Sequence, residues 1–218
     1  LIDFDPQANA TSGVGMDLSS IDKGVYHLLV QDLPLEEVLL PTPFDNLHIL
    51  PSTKDLSGAE IEMVNIVSRE TILKTRISPL MGLYDYIIID CPPSLGLLTI
   101  NALTASHKTI IPVQCEYFAL EGIAGLVNTL KLVKQSYNDQ LDIAGILLTM
   151  FDKRTSLNRQ VVQNTKEYFE DLVFTTIVPR NIRLTEAPSH GLPIELYDQY
   201  SSGAKAYKEL AKEVVERV

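Results

Sequence analysis

The sequence predicts an α/β fold, with a doubly wound, mostly parallel sheet and helices on both of its faces. Short runs of Ile, Val and Leu alternate with longer stretches of helical periodicity along the 218 residues. Several of these runs are continuous, as in strands that are covered on both faces of a parallel sheet. No repeat, low-complexity tract or linker divides the sequence. We therefore expect a single domain over residues 1–218.

Six apolar runs have the length and the branched residues of buried strands. In chain order they are Leu1–Phe4, Leu47–Leu50, Tyr86–Asp90, Thr109–Val113, Ile143–Met150 and Val173–Val178. Five further stretches have the spacing of helices, namely Gly58–Ile77, Leu97–Ala105, Leu120–Ser136, Leu157–Leu172 and Gly203–Arg217. Ligands of doubly wound sheets bind beyond the carboxyl ends of the strands. Functional side chains are therefore expected directly after the apolar runs.

Composition limits the class of protein. Hydrophobic residues make up 45% and charged residues 21%, which is typical of a folded globular protein. No apolar run reaches the roughly 18 residues of a membrane-spanning helix. Cys91 and Cys115 have neither metal-ligand nor redox-motif spacing, which favours a reducing cytoplasm. The net charge of −10 repels nucleic acid overall, so any DNA contact requires a local basic patch or a dimer-wide surface.

Two acidic clusters follow predicted strands. Asp3 and Asp5 are two residues apart, so on a strand both carboxylates face the same side, and Pro6 then ends the strand. Two such carboxylates need a cation or hydrogen-bond donors, and acceptance of turn amides is the alternative role for them. Asp90 ends the run Tyr86–Ile89 and precedes Cys-Pro-Pro. An apolar strand ending in Asp is typical of a Walker B element, whose carboxylate reaches the hydration shell of a nucleotide-bound Mg²⁺.

These blocks resemble the ParA/Soj family of partitioning ATPases. Residues 3–13 (DFDPQANATSG) look like the segment after the P-loop helix of that family, and residues 89–94 (IDCPPS) look like its Walker B. Later blocks at 112–117, 148–152, 177–183 and 186–191 follow in the family order. The resemblance implies a P-loop NTPase fold of the MinD–ParA type. It also implies ATP and Mg²⁺ as cofactors, an ATP-bound homodimer, non-specific binding to double-stranded DNA and a ParB/Spo0J-type partner.

The resemblance assigns nucleotide-site roles to individual residues. Asp90 binds Mg²⁺ through water, and Asp5 orients the water that attacks the γ-phosphate, with Asp3 behind it. Pro179 and Asn181 contact the adenine, Pro179 through an apolar face and Asn181 through its amide. Glu116 reaches across the dimer toward the partner's nucleotide, with a surface salt bridge as the alternative.

The DNA-binding positions that match the family are Arg154 and Arg183. Lys153 adds a phosphate contact in this reading, and Arg159 and Arg180 lie nearby in the sequence. Without the resemblance, the residues Lys153-Arg154 would predict only a solvated polar loop. A protein with these contacts would lie on the nucleoid in the cytoplasm.

One family feature is not found in the sequence. The glycine-rich Lys-Gly-Gly-Val-Gly-Lys-Thr loop is absent, because the chain begins on the strand that follows it. The backbone amides and lysines of that loop hold the phosphates in P-loop proteins. We therefore expect the first strand and P-loop helix of the fold to be missing here, and these 218 residues alone to have no measurable ATP affinity.

Other protein families and a non-enzymatic role are alternatives to a partitioning ATPase. A MinD-like membrane ATPase shares the fold but carries a basic amphipathic C-terminal helix, whereas Ala206–Val218 has no broad apolar face flanked by lysines. Nitrogenase iron-protein and Mrp relatives place cysteines for an iron–sulfur cluster where this sequence has none. Dethiobiotin synthetase and similar ligases lack the Asp-Pro-Gln and Pro-Arg-Asn blocks together. The alternative from another class is a non-enzymatic interaction module that has lost nucleotide turnover.

Overall fold

A computed structural model describes residues 1–116 and 119–218, with residues 119–121 described by their backbone alone. Tyr117, which ends one of the family-like blocks, lies outside the described residues. The chain divides into two compact units, Leu1–Ser106 with Pro188–Pro193, and His107–Ala187 with Ile194–Val218. In the described part of the chain, no helix combines the length and the apolar character that a membrane span requires.

The first unit is built around a short parallel pair of strands. Its strands are β1 (Ile2–Asp3), β2 (Leu40–Pro41), β3 (His48–Ile49) and β4 (Ile89–Asp90), and its helices are α1 (Asn9–Gly13), α2 (Val25–Val30), α3 (Leu56–Glu62), α4 (Ile72–Ile77) and α5 (Leu97–Ala105). β1 pairs in parallel with β4, and a parallel bridge joins Ile2 to Leu50 on its other side. β2 and β3 form an antiparallel pair. The core contains Ile2, Phe4, Leu28, Leu50, Leu56, Met63 and Leu73.

The second unit contains the two longest strands. β5 (Lys108–Gln114) pairs in parallel with β6 (Asp142–Thr149), and the helices are α6 (Ala119–Ser136), α7 (Ser156–Phe169), α8 (Ile182–Glu186), α9 (Ile194–Tyr197) and α10 (Ser202–Arg217). Five successive residues of β6, Ala144–Leu148, are buried, so this strand is covered on both faces as its continuous apolar run predicts. Parallel strands alternating with helices confirm the predicted α/β class.

The prediction of one continuous helix over Gly58–Ile77 is wrong, because the structure interrupts it. α3 ends at Glu62, a 3₁₀ turn follows at Met63–Asn65, and helical structure resumes only at Arg69. Ser68 has a φ of 58°, a left-handed conformation that a continuous right-handed helix excludes. The β-branched pair Ile66-Val67 directly precedes it, and such residues lower helix propensity. The buried residues of the stretch therefore come from two short helices and, through Met63, from the 3₁₀ turn between them.

The predicted strand Val173–Val178 is also wrong, and a single side chain explains why. Phe174 and Val178 donate their N–H groups to Ile146 and Leu148 of β6, as a strand would. Between them, the N–H groups of Thr175 and Thr176 donate to the carboxylate of Glu213 at 2.7 and 3.0 Å. The carboxylate therefore satisfies the amides in the middle of the segment, and the ladder is reduced to isolated bridges.

Candidate functional site

Three carboxylates of the first unit meet at the carboxyl ends of β1 and β4. Asp3 lies directly opposite Asp90 in the parallel register. The N–H of Phe4 donates to the carbonyl of Asp90 at 2.8 Å, which fixes the two strand ends against each other. Asp5 follows two residues after Asp3, and its charge acts on both other carboxyls. The structure therefore brings together the acidic residues that the sequence singled out in separate segments.

Asp3 is an internal acceptor that shapes the chain around it. Its side chain is fully buried. One carboxylate oxygen accepts from the N–H and the hydroxyl of Thr11 at 2.7 and 2.6 Å, and the other accepts from the N–H of Asp5 at 3.2 Å. Burial nevertheless raises the pKa of Asp3 above its ordinary value, with the Asp5 charge adding to the increase and the hydrogen bonds opposing it. Asp3 is thus placed to hold the following turn.

The turn that carries Asp5 is closed by local hydrogen bonds. The Asp5 carboxylate accepts from the N–H of Gln7 at 3.0 Å, and the Asp5 carbonyl accepts from the N–H of Ala8 at 2.9 Å. Ala8 has a φ of 56° and leads directly into α1. Both Asp3 and Asp5 therefore accept hydrogen bonds from turn amides, which is the alternative role predicted for them. Asp5 is half-buried at the strand end and is also accessible to solvent.

Asp90 is the most exposed of the three carboxylates, and its electrostatic surroundings are unfavourable to its own charge. Partial loss of solvent raises the pKa of Asp90, and the charges of Asp3 and Asp5 raise it further. Among residues 1–116 and 122–218, whose side chains are described, no group of three His, Cys, Asp or Glu side chains is arranged as a ready-made metal cage. The cluster fits a divalent cation that takes few ligands from protein and the rest from water or phosphate, as Mg²⁺ does.

Two glycines bring another family-like block against this part of the first unit. Gly15 has a φ of 79° and Gly191 a φ of 62°, so both adopt left-handed conformations. A Cβ added at Gly15 would lie 2.9 Å from the carbonyl oxygen of Gly191, and one added at Gly191 would lie 2.9 Å from the Cα of Gly15. The backbone following α1 and the Ser-His-Gly turn therefore pack at a distance that excludes side chains.

The predicted adenine-binding residues lie in the second unit. Pro179 is half-buried and forms a parallel bridge with Phe151. Asn181 caps α8, because its side-chain oxygen accepts from the N–H of Arg183 at 2.8 Å, and its NH₂ group donates to the Ser202 hydroxyl at 2.7 Å. Both ends of the amide are therefore used within the protein. Glu116 is exposed, beyond the end of β5.

The predicted DNA-binding arginines are exposed and paired with acids. Arg154 makes a two-pronged contact with Asp152, with Nη2 at 2.7 Å and Nε at 3.0 Å from its oxygens, and this contact lowers the pKa of Asp152. Arg183 contacts Glu186 at 2.8 Å and Asp198 at 3.5 Å. Lys153 is exposed beside Arg154. Any phosphate would therefore compete with these carboxylates for both arginines.

Several residues that hold the site were not found from the sequence. The Thr11 hydroxyl bonds Asp3 and also accepts from the N–H of Ser52 at 3.1 Å, so it ties two segments together beside the carboxylate cluster. In the second unit, Arg217 donates to three backbone carbonyls and lies 4.3 Å from the centre of the Phe174 ring. The sequence shows the i, i+4 spacing of Glu213 and Arg217, but it does not show the backbone groups with which they form hydrogen bonds.

Comparison with known proteins gives consistent relatives over the whole chain. The family model described as "AAA domain" matches residues 1–143. The sporulation initiation inhibitor protein Soj of Bacillus subtilis is 55% identical over 214 residues, which cover 98% of this chain and 85% of that protein. The chromosome partitioning protein ParA of Myxococcus xanthus is 51% identical over 217 residues, covering 100% of this chain and 77% of that protein.

Among solved structures, cobyrinic acid a,c-diamide synthase from Mycobacterium smegmatis with a bound ATP analogue and magnesium superposes with a TM-score of 0.83. It is 34% identical, and the match covers 99% of this chain and 80% of that structure. Its fold agrees with the predicted one, while the partitioning proteins are much closer in sequence. The chain belongs to the ParA/Soj family of chromosome-partitioning ATPases.

Proposed function

We propose that the protein is an Mg²⁺-dependent ATP hydrolase that acts in DNA segregation. The observation that carries this proposal is the meeting of Asp3, Asp5 and Asp90 at the ends of two parallel strands. Their mutual repulsion is relieved by a cation, and this edge of the sheet is where nucleotides bind in α/β proteins. Two relatives, at 51% and 49% identity, are named as a chromosome partitioning protein and a chromosome-partitioning ATPase.

Each carboxylate has a distinct role in this proposal. Asp90 would hold Mg²⁺ through bound water, and the ion, when bound, neutralises charge on the phosphate oxygens. Asp5 orients the water that attacks the γ-phosphorus while the bond to the ADP oxygen breaks. Asp3 keeps the Asp5 turn in place through its bonds to Asp5 and Thr11. The family's glycine-rich phosphate loop is not among these 218 residues, so activity is measured on the full-length gene product.

Nucleotide specificity and dimerisation involve residues of the second unit. Pro179 offers an apolar surface to the adenine, and Asn181 exchanges its bond to Ser202 for one to the base edge. Glu116 reaches toward the nucleotide of a second copy when ATP is bound. The exposed positions of Glu116 and of the Asn181 turn support this arrangement.

DNA binding would use Arg154, Arg183 and Lys153 in the ATP-bound homodimer. Contacts to phosphate carry no sequence information, so binding is non-specific and falls steeply with salt. A dimer carries a net charge of about −20 (twice −10), so binding depends on the two sets of basic groups lying together as a local patch on one surface. A ParB/Spo0J-type protein would stimulate hydrolysis, and the protein would lie on the nucleoid.

Replacement of Asp90 by alanine tests the proposal directly. We expect Asp90→Ala to lower Mg²⁺-dependent ATP turnover roughly 100-fold or more, the scale for loss of a group that organises transition-state charge. Asp85→Ala is a matched control, because Asp85 is an exposed aspartate just before the same strand. Circular dichroism establishes that both variants are folded. A folded Asp90→Ala protein with wild-type turnover in Mg²⁺ would disprove the assignment.

A further inference from the structure

The helix that follows Asp90 begins with a carboxylate from another helix at its N-terminus. Residues 91–96 connect Asp90 to α5. The N-cap residue Gly96 has no side chain to accept from the first turn, and Glu60 of α3 fills that role. Its Oε1 accepts from the N–H of Leu98 at 3.1 Å. A negative charge at this position also complements the helix dipole.

Gly96 provides the space that Glu60 needs. A Cβ added at Gly96 would overlap Oε1 of Glu60 and would lie 2.8 Å from its Cδ. The φ of Gly96 is −99°, which alanine adopts without strain. An alanine at this position would therefore displace the Glu60 carboxylate rather than distort its own backbone. Gly96 and Glu60 form a matched pair across α3 and the start of α5.

The segment between Asp90 and α5 is held at both ends. On the Asp90 side, the Asp90 carbonyl accepts from the N–H of Phe4 at 2.8 Å. On the α5 side, the Thr99 hydroxyl donates to the Ser94 carbonyl at 2.6 Å. The buried Asn101 then ties α5 to the carbonyl of Arg69 and to the N–H of Leu73. Glu60 adds the contact that fixes the first turn from outside the helix.

We propose that Glu60 is a positioning residue for the ATPase reaction proposed above, on which this inference rests. Its carboxylate fixes the first turn of α5 and, through it, the course of residues 91–96. The direction of the Asp90 side chain depends on the backbone on both sides of it, and the downstream side is anchored through Glu60. Small displacements of groups that organise a reaction reduce its rate strongly, so this contact supports turnover without touching the nucleotide.

Hydrogen exchange tests the contact without nucleotide or metal. We expect the N–H groups among residues 91–98 (Pro92 and Pro93 have none), and that of Leu98 above all, to exchange roughly tenfold faster in Glu60→Ala, because the bond of Leu98 to a charged acceptor is lost. Gly96→Ala should give the same increase, since it displaces the same carboxylate. Glu62→Ala is the matched control, because Glu62 lies on the same helix and accepts from the Tyr26 hydroxyl instead. Its exchange in residues 91–98 should equal that of the wild type.

Steady-state kinetics on the full-length gene product tests the positioning role. Glu60→Ala and Gly96→Ala should each lower kcat on the order of tenfold, and raise the Mg²⁺ concentration for half-maximal rate, with a smaller change in KM for ATP. Glu60→Gln keeps an oxygen that accepts from Leu98 and should restore most of kcat. The double variant Glu60→Ala, Gly96→Ala should be no slower than either single variant, because both remove one contact.

Each alternative outcome contradicts a definite part of the proposal. Multiplicative losses in the double variant, or exchange at residues 91–98 that is unchanged in Glu60→Ala, would overturn the Glu60–Gly96 pairing. Wild-type kcat in a folded Glu60→Ala protein would overturn the positioning role and leave the ATPase proposal standing. Absence of Mg²⁺-dependent hydrolysis by the wild-type protein would overturn both.

Discussion

Replacing the buried Thr11 by valine tests how the carboxylate cluster is held together. Valine has nearly the same shape as threonine but has no hydroxyl. In the folded protein that hydroxyl donates to Asp3 at 2.6 Å and accepts from the N–H of Ser52 at 3.1 Å. Thr11, Asp3 and Ser52 are all buried, so water does not replace either bond. Thr11→Val therefore removes two bonds while leaving the packing almost unchanged.

The expected cost follows from those two bonds. A hydrogen bond to a charged group contributes about 1.5–3 kcal/mol, and a buried N–H left without a partner costs about 1–3 kcal/mol. Together they predict a loss of about 3–5 kcal/mol in the free energy of unfolding. In a domain of this size, each kcal/mol lowers Tm by about 2–4 °C. We therefore expect Tm to fall by about 6–20 °C, measured by circular dichroism.

The size of the loss should depend on pH. Burial raises the pKa of Asp3 in the folded protein, so the folded state binds this proton more tightly than the unfolded state. The contribution of Asp3 to stability is therefore fully present below its unfolded pKa of about 3.9, and is lost as pH rises through the folded value. Thr11→Val removes a donor to the ionised form and raises that folded value further. Its destabilisation should be larger at pH 7.5 than at pH 4.5.

Thr11→Ser is the control, because serine keeps the hydroxyl and loses only a methyl group. It should cost about 1 kcal/mol, without the pH dependence. Equal destabilisation by serine and valine would mean that packing of the methyl group, and not the two hydrogen bonds, holds this region. A loss for Thr11→Val that is the same at both pH values would refute the link to the Asp3 charge.

Three further predictions concern catalysis, DNA and the C-terminal helix. Asp5→Ala in the full-length gene product should slow hydrolysis roughly 100-fold yet permit ATP binding, so that light scattering shows an ATP-bound dimer accumulating; failure to bind ATP would make Asp5 a ligand instead. The double variant Arg154→Ala, Arg183→Ala should weaken binding to all duplexes alike and lower the salt slope of the dimer by about 4, because each dimer loses four arginines, and sequence-selective loss would contradict it. Arg217→Ala should lower the free energy of unfolding by about 2–4 kcal/mol, and Arg217→Lys should have an intermediate effect. An unchanged Tm would show that the bonds of Arg217 to backbone carbonyls do not contribute to stability.

The parts of the fold that were predicted correctly have strong local signals. α5 was predicted at Leu97–Ala105, where the structure places it, and the Ile143–Met150 strand lies within one residue of β6 at each end. β6 contains a continuous apolar run that is buried on both faces, and six of the nine residues of α5 are buried. The same reasoning placed Asp90 at a strand end, because a charged residue that follows a buried run marks the edge of the sheet.

The parts that were missed depend on contacts between residues far apart in the sequence. The Val173–Val178 run has the composition of a strand. However, the N–H groups of Thr175 and Thr176 donate hydrogen bonds to the carboxylate of Glu213, some 37 residues away, instead of to a neighbouring strand. Thr11 is likewise unremarkable in a sequence until Asp3 and Ser52 meet around it. Side chains that complete backbone hydrogen bonding carry no periodic signal, and therefore pattern analysis does not find them.

The pairing of the predicted DNA-binding arginines has a consequence for how DNA binding would depend on conditions. The Arg154 side chain is 84% exposed even while it contacts Asp152, so solvent screens that pair strongly. Its loop is nevertheless well fixed, because the buried Asn158 accepts from the N–H of Asp152 at 2.7 Å and donates to the Cys115 carbonyl at 2.6 Å. The guanidinium is thus presented from a rigid loop and held by a weak partner that a phosphate can replace. Removing Asp152 should therefore strengthen DNA binding, whereas loosening the loop at Asn158 should weaken it.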